Sequence, residues 1–178
     1  MKRILKSFDP LIGLPCWNVH YDGNTGLWLQ FGAPRLHIRE PRPGVGSTDR
    51  VREHFSYRLV TLRGEWTFAV TCGRWALELR SERAATDRSA DRRMATAIAR
   101  LDGQRFTAVE IDSGTGRTVL RFDLGAVLRI AGSDCDDGDL WTLYKPRGRA
   151  LSVRSTGEYA DGSASRAETW RRLPRAAT

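Results

Sequence analysis

The chain has 178 residues, 40% of them hydrophobic and 28% charged, and carries a formal net charge of +8. These proportions exclude a disordered polymer, and a chain of this length buries a core without disulfide staples. No apolar run approaches the ~20 residues needed to cross a bilayer, so no membrane partner is expected.

The opening segment MKRILKSFDPLIGLP mixes basic and apolar residues. Asp9 and Pro10 interrupt it and no small-residue cleavage site follows, so it does not read as a signal peptide. Alternation of apolar and polar residues then predicts strands at about 16–21, 27–31, 35–39, 57–63 and 66–72, with a sixth near 74–80. Residues 41–54, PRPGVGSTDRVREH, read as a Pro/Gly/Arg-rich loop between two of them.

One helix follows, assigned to 83–103. Ala90, Met94, Ala97, Ile98 and Leu101 fall on one face, Thr86 or Ser89 caps the start, and Gly103 ends it. Its other face carries Arg88, Arg92, Arg93 and Arg100. Strands resume at about 105–112, 117–123, 126–131, 140–145 and 149–154. The loop over 133–139 is acidic, with Asp134, Asp136, Asp137 and Asp139 around Gly138. The tail, 161–178, is small, polar and basic; it reads as partly mobile, with Trp170 and Leu173 available to dock it.

The two halves share a pattern. Val19–Gly26 leads into Leu29-Gln30-Phe31, and Val109–Gly116 leads into Leu120-Arg121-Phe122; both fit V-x-[YI]-D-x-x-T-G followed by L-x-F. The remaining strands can be matched in order: 36–38 with 128–130, 59–62 with 140–143, and 66–70 with 149–153. The expected fold is mainly β (α+β): two duplicated antiparallel five-strand units packed together, 14–82 and 104–160, with one linking helix.

Known catalytic signatures are missing. The acidic loop does not follow the calcium-loop order, because Gly138 comes one place early and Lys145 stands where a bidentate Glu belongs. His20, His37 and His54 form no metal-binding pattern, and neither a G-x-S-x-G elbow nor a phosphate loop occurs. No catalytic residue, metal or cofactor is assigned, and an enzyme is not expected. Cys16, Cys72 and Cys135 are odd in number and widely spaced, which argues against a disulfide framework and for a reducing cytoplasm.

The repeated L-x-F-x-x-G-x-x-L-x-I followed by W-x-L-x-x-P-x-G-x-x-L-x-V, clearest at Leu120–Val153, resembles small uncharacterised bacterial β-rich domains, some of them similar to toxin-immunity proteins. The resemblance implies an inhibitor or immunity role and carries over no site residue.

The expected function is therefore recognition of another protein, as an inhibitor or immunity protein that blocks a toxin or nuclease. Arg50 and Arg52 of the basic loop and Asp134, Asp136, Asp137 and Asp139 of the acidic loop are the candidate contacts. The alternative is a nucleic-acid-binding module using Arg88, Arg92, Arg93 and Arg100 of the helix and Arg171 and Arg172 of the tail. A metal-dependent enzyme built on His20 and His37 has the least support.

Overall fold

A computed structural model describes residues 1–23, 26–133, 138–164 and 169–174. The fold is mainly β, with two antiparallel sheets. The first half of the chain supplies β1 (Cys16–Tyr21), β2 (Leu27–Arg39), β3 (Leu59–Val70), β4 (Gly73–Leu79) and β5 (Glu82–Thr86). The second half supplies β6 (Phe106–Ile111), β7 (Thr118–Phe122), β8 (Ala126–Ser133), β9 (Asp139–Lys145), β10 (Arg149–Arg154), β11 (Glu158–Ser163) and the short β12 (Arg171–Arg172). Among the described residues three α-helices accompany them: α1 (Lys2–Leu5), α2 (Asp49–Ser56) and α3 (Asp91–Leu101). No helix among the described residues is long and apolar enough to cross a membrane.

The strands do not segregate by half. The larger sheet runs β1-β2-β3-β9-β10-β11-β12 and the smaller β5-β4-β8-β7-β6. Each half lays down a three-stranded meander in one sheet and then crosses to the other, where its next two strands pair with the other half's meander. The expectation of two self-contained five-strand units is corrected accordingly. So is the matching of strands beyond the first two: by place in the sheets, β3 corresponds to β8, β4 to β9 and β5 to β10.

Period-two alternation explains the inner faces. Leu27, Leu29, Phe31, Phe68, Val70, Trp141, Leu143, Leu151 and Val153 of the larger sheet join Trp75, Leu77, Leu120, Leu128 and Ile130 of the smaller in one buried cluster. The N-terminal segment seals this core. Phe8, 1% exposed, lies 6.3 Å from Phe68 and 5.7 Å from Trp141 on one sheet, and 6.1 Å from Phe106 on the other. The second D-x-x-T-G segment is a hairpin turn as read: Asp112 Oδ1 accepts from the Gly114 and Thr115 amides and the Thr115 hydroxyl. In the first, where Asn24 and Thr25 lie outside the described residues, Asp22 Oδ1 accepts from the Gly26 amide.

Two further expectations change. The helix is shorter than 83–103: residues 83–86 belong to β5, and α3 buries Met94, Ala97, Ile98 and Leu101. The 41–54 loop contains the start of α2, whose N-cap Thr48 accepts from the Val51 amide through Oγ1.

Candidate functional site

The strands at 35–39 and 57–63 are not separate sheet members. They are the outer halves of β2 and β3, which run on beyond the sheet as a two-stranded arm. β1 borders β2 only along Leu27–Phe31, and β9 borders β3 only at Thr67–Ala69. Past these points the ladder continues alone, from Pro34–Gly64 to Arg39–Leu59.

The base of the arm is fixed by a bulge between Phe31 and Pro34. Gln30, 3% exposed, accepts through Oε1 from the Gly64 amide at 3.0 Å and from the Thr67 hydroxyl at 2.6 Å. Gly64 is required by the close approach of the chains, since a Cβ there would stand 2.4 Å from the Phe31 carbonyl oxygen. The chain beyond Phe31 is therefore re-aimed by hydrogen bonds around one buried side-chain amide rather than by a loop.

Register sorts the arm into two faces. Leu36 lies directly opposite Leu62, and Ile38 opposite Val60. All four point the same way, and they are 67%, 50%, 52% and 51% exposed respectively. The other face pairs Arg35 with Arg63, His37 with Thr61 and Arg39 with Leu59. The helix α2 folds back on this second face: Arg39 donates to His54 Nε2 at 2.8 Å and its guanidinium lies 4.5 Å over the Phe55 ring. Arg58 grips Glu40 through Nε and Nη2 at 3.0 and 2.8 Å, which raises the Arg58 pKa. His37 is held below its ordinary value by burial, then by the Arg63 and Arg35 cations beside it.

Residues 33–64 hold seven arginines against three carboxylates, a net +4 of the chain's +8. The arm is thus an aliphatic stripe on a basic carrier. Its aliphatic face has no covering element among the described residues.

The predicted site residues fall in different places. Arg50 and Arg52 sit on α2 at the arm tip, with Arg52 paired to Asp49. Asp134, Asp136 and Asp137 lie outside the described residues. Asp139 is a structural group: its carbonyl accepts from the Cys72 amide and the Thr71 hydroxyl, and its carboxylate pairs with Arg154 at 3.5 Å. Asp139 therefore stands at the Val70 end of β3, while Arg50 and Arg52 stand near the Leu59 end. Eleven steps along β3 separate these ends, roughly 36 Å of strand, so Asp139 does not share a patch with Arg50 and Arg52.

The arginines of the alternative reading are also dispersed. Those of α3 lie beside β1 and β5, and Arg93 is spent on the β5 carbonyls of Ala84 and Arg83 at 2.7 and 3.1 Å. Arg92 and Arg100 flank a shallow apolar hollow with Leu79 and Thr96, and Arg88 precedes the helix. Arg171 and Arg172 form β12, at the opposite edge of the larger sheet from β1. Six strand spacings make that roughly 29 Å. The tail docks as the sequence allowed: Leu173 is 4% exposed, and Arg154 lies 3.6 Å over the Trp170 ring.

His20 stands on β1 and His37 on the arm, and no group of three metal-binding side chains occurs among the described residues. The sequence reading missed the aliphatic stripe. Its signal was present in the alternation of Leu36 and Ile38 with Val60 and Leu62, but alternation does not reveal which face is left uncovered. Comparison with protein-family models, curated proteins and solved structures finds no match to this chain.

Proposed function

We propose that this chain is a protein-binding module that docks its partner along the β2–β3 arm. The carrying observation is the in-register quartet Leu36–Leu62 and Ile38–Val60, half exposed or more, on a ribbon that leaves the sheet. A two-stranded ribbon is marginal by itself in water, and a contiguous exposed aliphatic face marks an interaction surface.

The chemistry of the stripe selects the partner. Aliphatic side chains offer no π face for a base to stack on, so the arm favours a protein over single-stranded nucleic acid. The net +4 of the arm favours an acidic rim on that protein and opposes a second copy of the chain, which would set +4 against +4. The partner is an acidic protein with an apolar groove. An arm seated in such a groove obstructs it, and this is the route by which the module acts as an inhibitor or immunity protein.

Affinity capture with the full chain as bait, after nuclease treatment and at two salt concentrations, tests this. The wild type should retain one acidic protein stoichiometrically, and Leu36→Asp/Leu62→Asp should lose it. Recovery of salt-labile nucleic acid alone, self-association of the wild type, or binding to phosphatidylserine vesicles with no protein retained would overturn the reading.

We also infer that the two halves descend from one duplicated unit. Supporting this is the strand order, in which β1-β2-β3 joined to β9-β10 mirrors β6-β7-β8 joined to β4-β5. The buried tryptophans agree, with Trp75-Ala76-Leu77 on β4 matching Trp141-Thr142-Leu143 on β9.

A further inference from the structure

A pocket of about 430 Å³ lies where the basic face of the arm meets the outer side of β1 and β2. Leu27, Leu29 and Phe31 point into the core, so the residues between them, Trp28 and Gln30, point out of the sheet into this pocket. Asn18 and His20 of β1 form one wall, and Thr61 and Arg63 of the arm form another.

Gln30 carries the argument. It is 3% exposed, and the Gly64 amide fixes which end of its side chain is oxygen, because Oε1 accepts that N–H together with the Thr67 hydroxyl. Its Nε2 therefore holds two donors, and no acceptor meets them among the described residues. Unlike the indole nitrogen of Trp75, Nε2 is not sealed inside the protein. An almost fully buried amide thus presents unused donors to the pocket that it lines, and an acceptor from outside satisfies them.

Arg63 is an independent observation. It stands directly opposite Arg35, and like charges so placed destabilise a strand pair. Arg52 and Arg58 of the same segment each hold a carboxylate, whereas neither Arg63 nor Arg35 pairs with one among the described residues. An anion on Arg63 offsets that repulsion. Arg63 adjoins Gly64, whose amide Gln30 holds, so the guanidinium and the Gln30 donors serve the same end of the pocket.

The other end accepts. His20 Nδ1 lies 2.9 Å from the Asn18 carbonyl oxygen, which can only accept, so the neutral ring carries its proton on Nδ1 and keeps a lone pair on Nε2. Asp22 stands past His20. Between the two ends Trp28, its ring parallel to that of Tyr144 within 9°, supplies an apolar wall. His20 pairs with Trp28 across the ladder, and Gln30 follows two residues on, roughly 7 Å, which is the span of one sugar ring.

We infer that this pocket binds a small hydroxylated carboxylate, a sugar acid of one ring. Its carboxylate accepts from Gln30 Nε2 and Arg63, its ring lies on Trp28, and one of its hydroxyls donates to His20 Nε2. The site does not depend on a partner docked along the aliphatic stripe.

Titration calorimetry on the full chain tests this with D-glucuronate, with D-glucose, which lacks the carboxylate, and with cyclohexanecarboxylate, which lacks the hydroxyls. Glucuronate should bind tightest. Arg63→Ala should weaken glucuronate and cyclohexanecarboxylate roughly ten-fold and leave glucose unchanged, as expected for one hydrogen bond to a charged group. His20→Ala should weaken glucuronate and glucose and leave cyclohexanecarboxylate unchanged. Gln30→Glu keeps the acceptor for Gly64 and replaces the donors by an oxygen, and should abolish glucuronate binding. No heat with glucuronate at millimolar concentration, glucose bound as tightly as glucuronate, or glucuronate binding unchanged by Arg63→Ala would overturn the site. The Arg63 and His20 variants alter side chains that reach the surface and keep the test decisive if Gln30→Glu does not fold.

Discussion

The indole N–H of Trp141 and the hydroxyl of Thr118 meet at 2.8 Å across the core, tying the larger sheet to the start of β7 in the smaller. Both groups are fully buried, and Thr118 in turn donates to the Gly116 carbonyl at 2.9 Å. Thr118→Val keeps the shape and strands the indole donor. The expected loss is about 1–3 kcal/mol, read as a lower midpoint in urea unfolding with an unchanged slope. A midpoint equal to the wild type's would show that this bond does not hold the sheets together.

Phe8 makes the second tie. It reaches Phe68 and Trp141 on one side and Phe106 on the other. Phe8→Ala opens a cavity at the seam of both sheets and should destabilise the protein by about 3–5 kcal/mol. A change below about 1 kcal/mol would mean that the N-terminal segment lies on the core without sealing it.

The arm behaves oppositely, because its aliphatic quartet contributes little to the free fold. Leu36→Asp and Leu62→Asp should each leave stability within about 0.5 kcal/mol of the wild type. A large loss in either would indicate that the stripe is covered by the chain itself, which removes the basis for a docking face.

His37 titrates on the arm's basic face. Burial and the flanking Arg63 and Arg35 cations lower its folded pKa from 6.5. The unfolded chain therefore takes up this proton first as the pH falls. The group's contribution to stability is complete above 6.5 and is lost as the pH drops from there through the folded value. An NMR titration should give a pKa below 6.5 that moves up in Arg63→Ala; a value at or above 6.5 would place the two arginines elsewhere.

Cys16 is fully buried, and its thiol donates to the Leu101 carbonyl at 3.2 Å. Burial, aided by Asp102, pushes its pKa up to about 12. The native protein should resist alkylation at Cys16 in mildly alkaline iodoacetamide until it is unfolded, as read by peptide mapping.

Much of this fold was legible because its inner faces obey a strict alternation. Leu27-Leu29-Phe31 and Leu140–Leu143 announce strands wherever they end up. Residues 82–86, ERAAT, lack that alternation and sit before a helical pattern, so β5 was absorbed into the helix. α2 was hidden by the density of Pro and Gly before it, although Thr48 followed by Asp49 is a capping signal. Sheet membership was not legible, because the exchange of β4-β5 for β9-β10 depends on pairings between residues some 50 to 75 positions apart, such as Leu77 with Leu128 and Phe68 with Leu143. The candidate site was partly legible: Arg50 and Arg52 lie on α2, between the two strands of the arm, whereas Asp139 of the acidic loop stands at the far end of β3. Side-chain alternation placed Leu36 and Ile38 on one face without revealing that the strand had already left the sheet.

The most direct measurement is photo-crosslinking from the arm. Benzoylphenylalanine is placed at Ile38, in the aliphatic stripe, and separately at Thr96, exposed on α3, and each full chain is irradiated in extract from its source. The account predicts one acidic protein joined to position 38 and nothing joined to position 96. No protein adduct at position 38, or equal adducts at both positions, would contradict it.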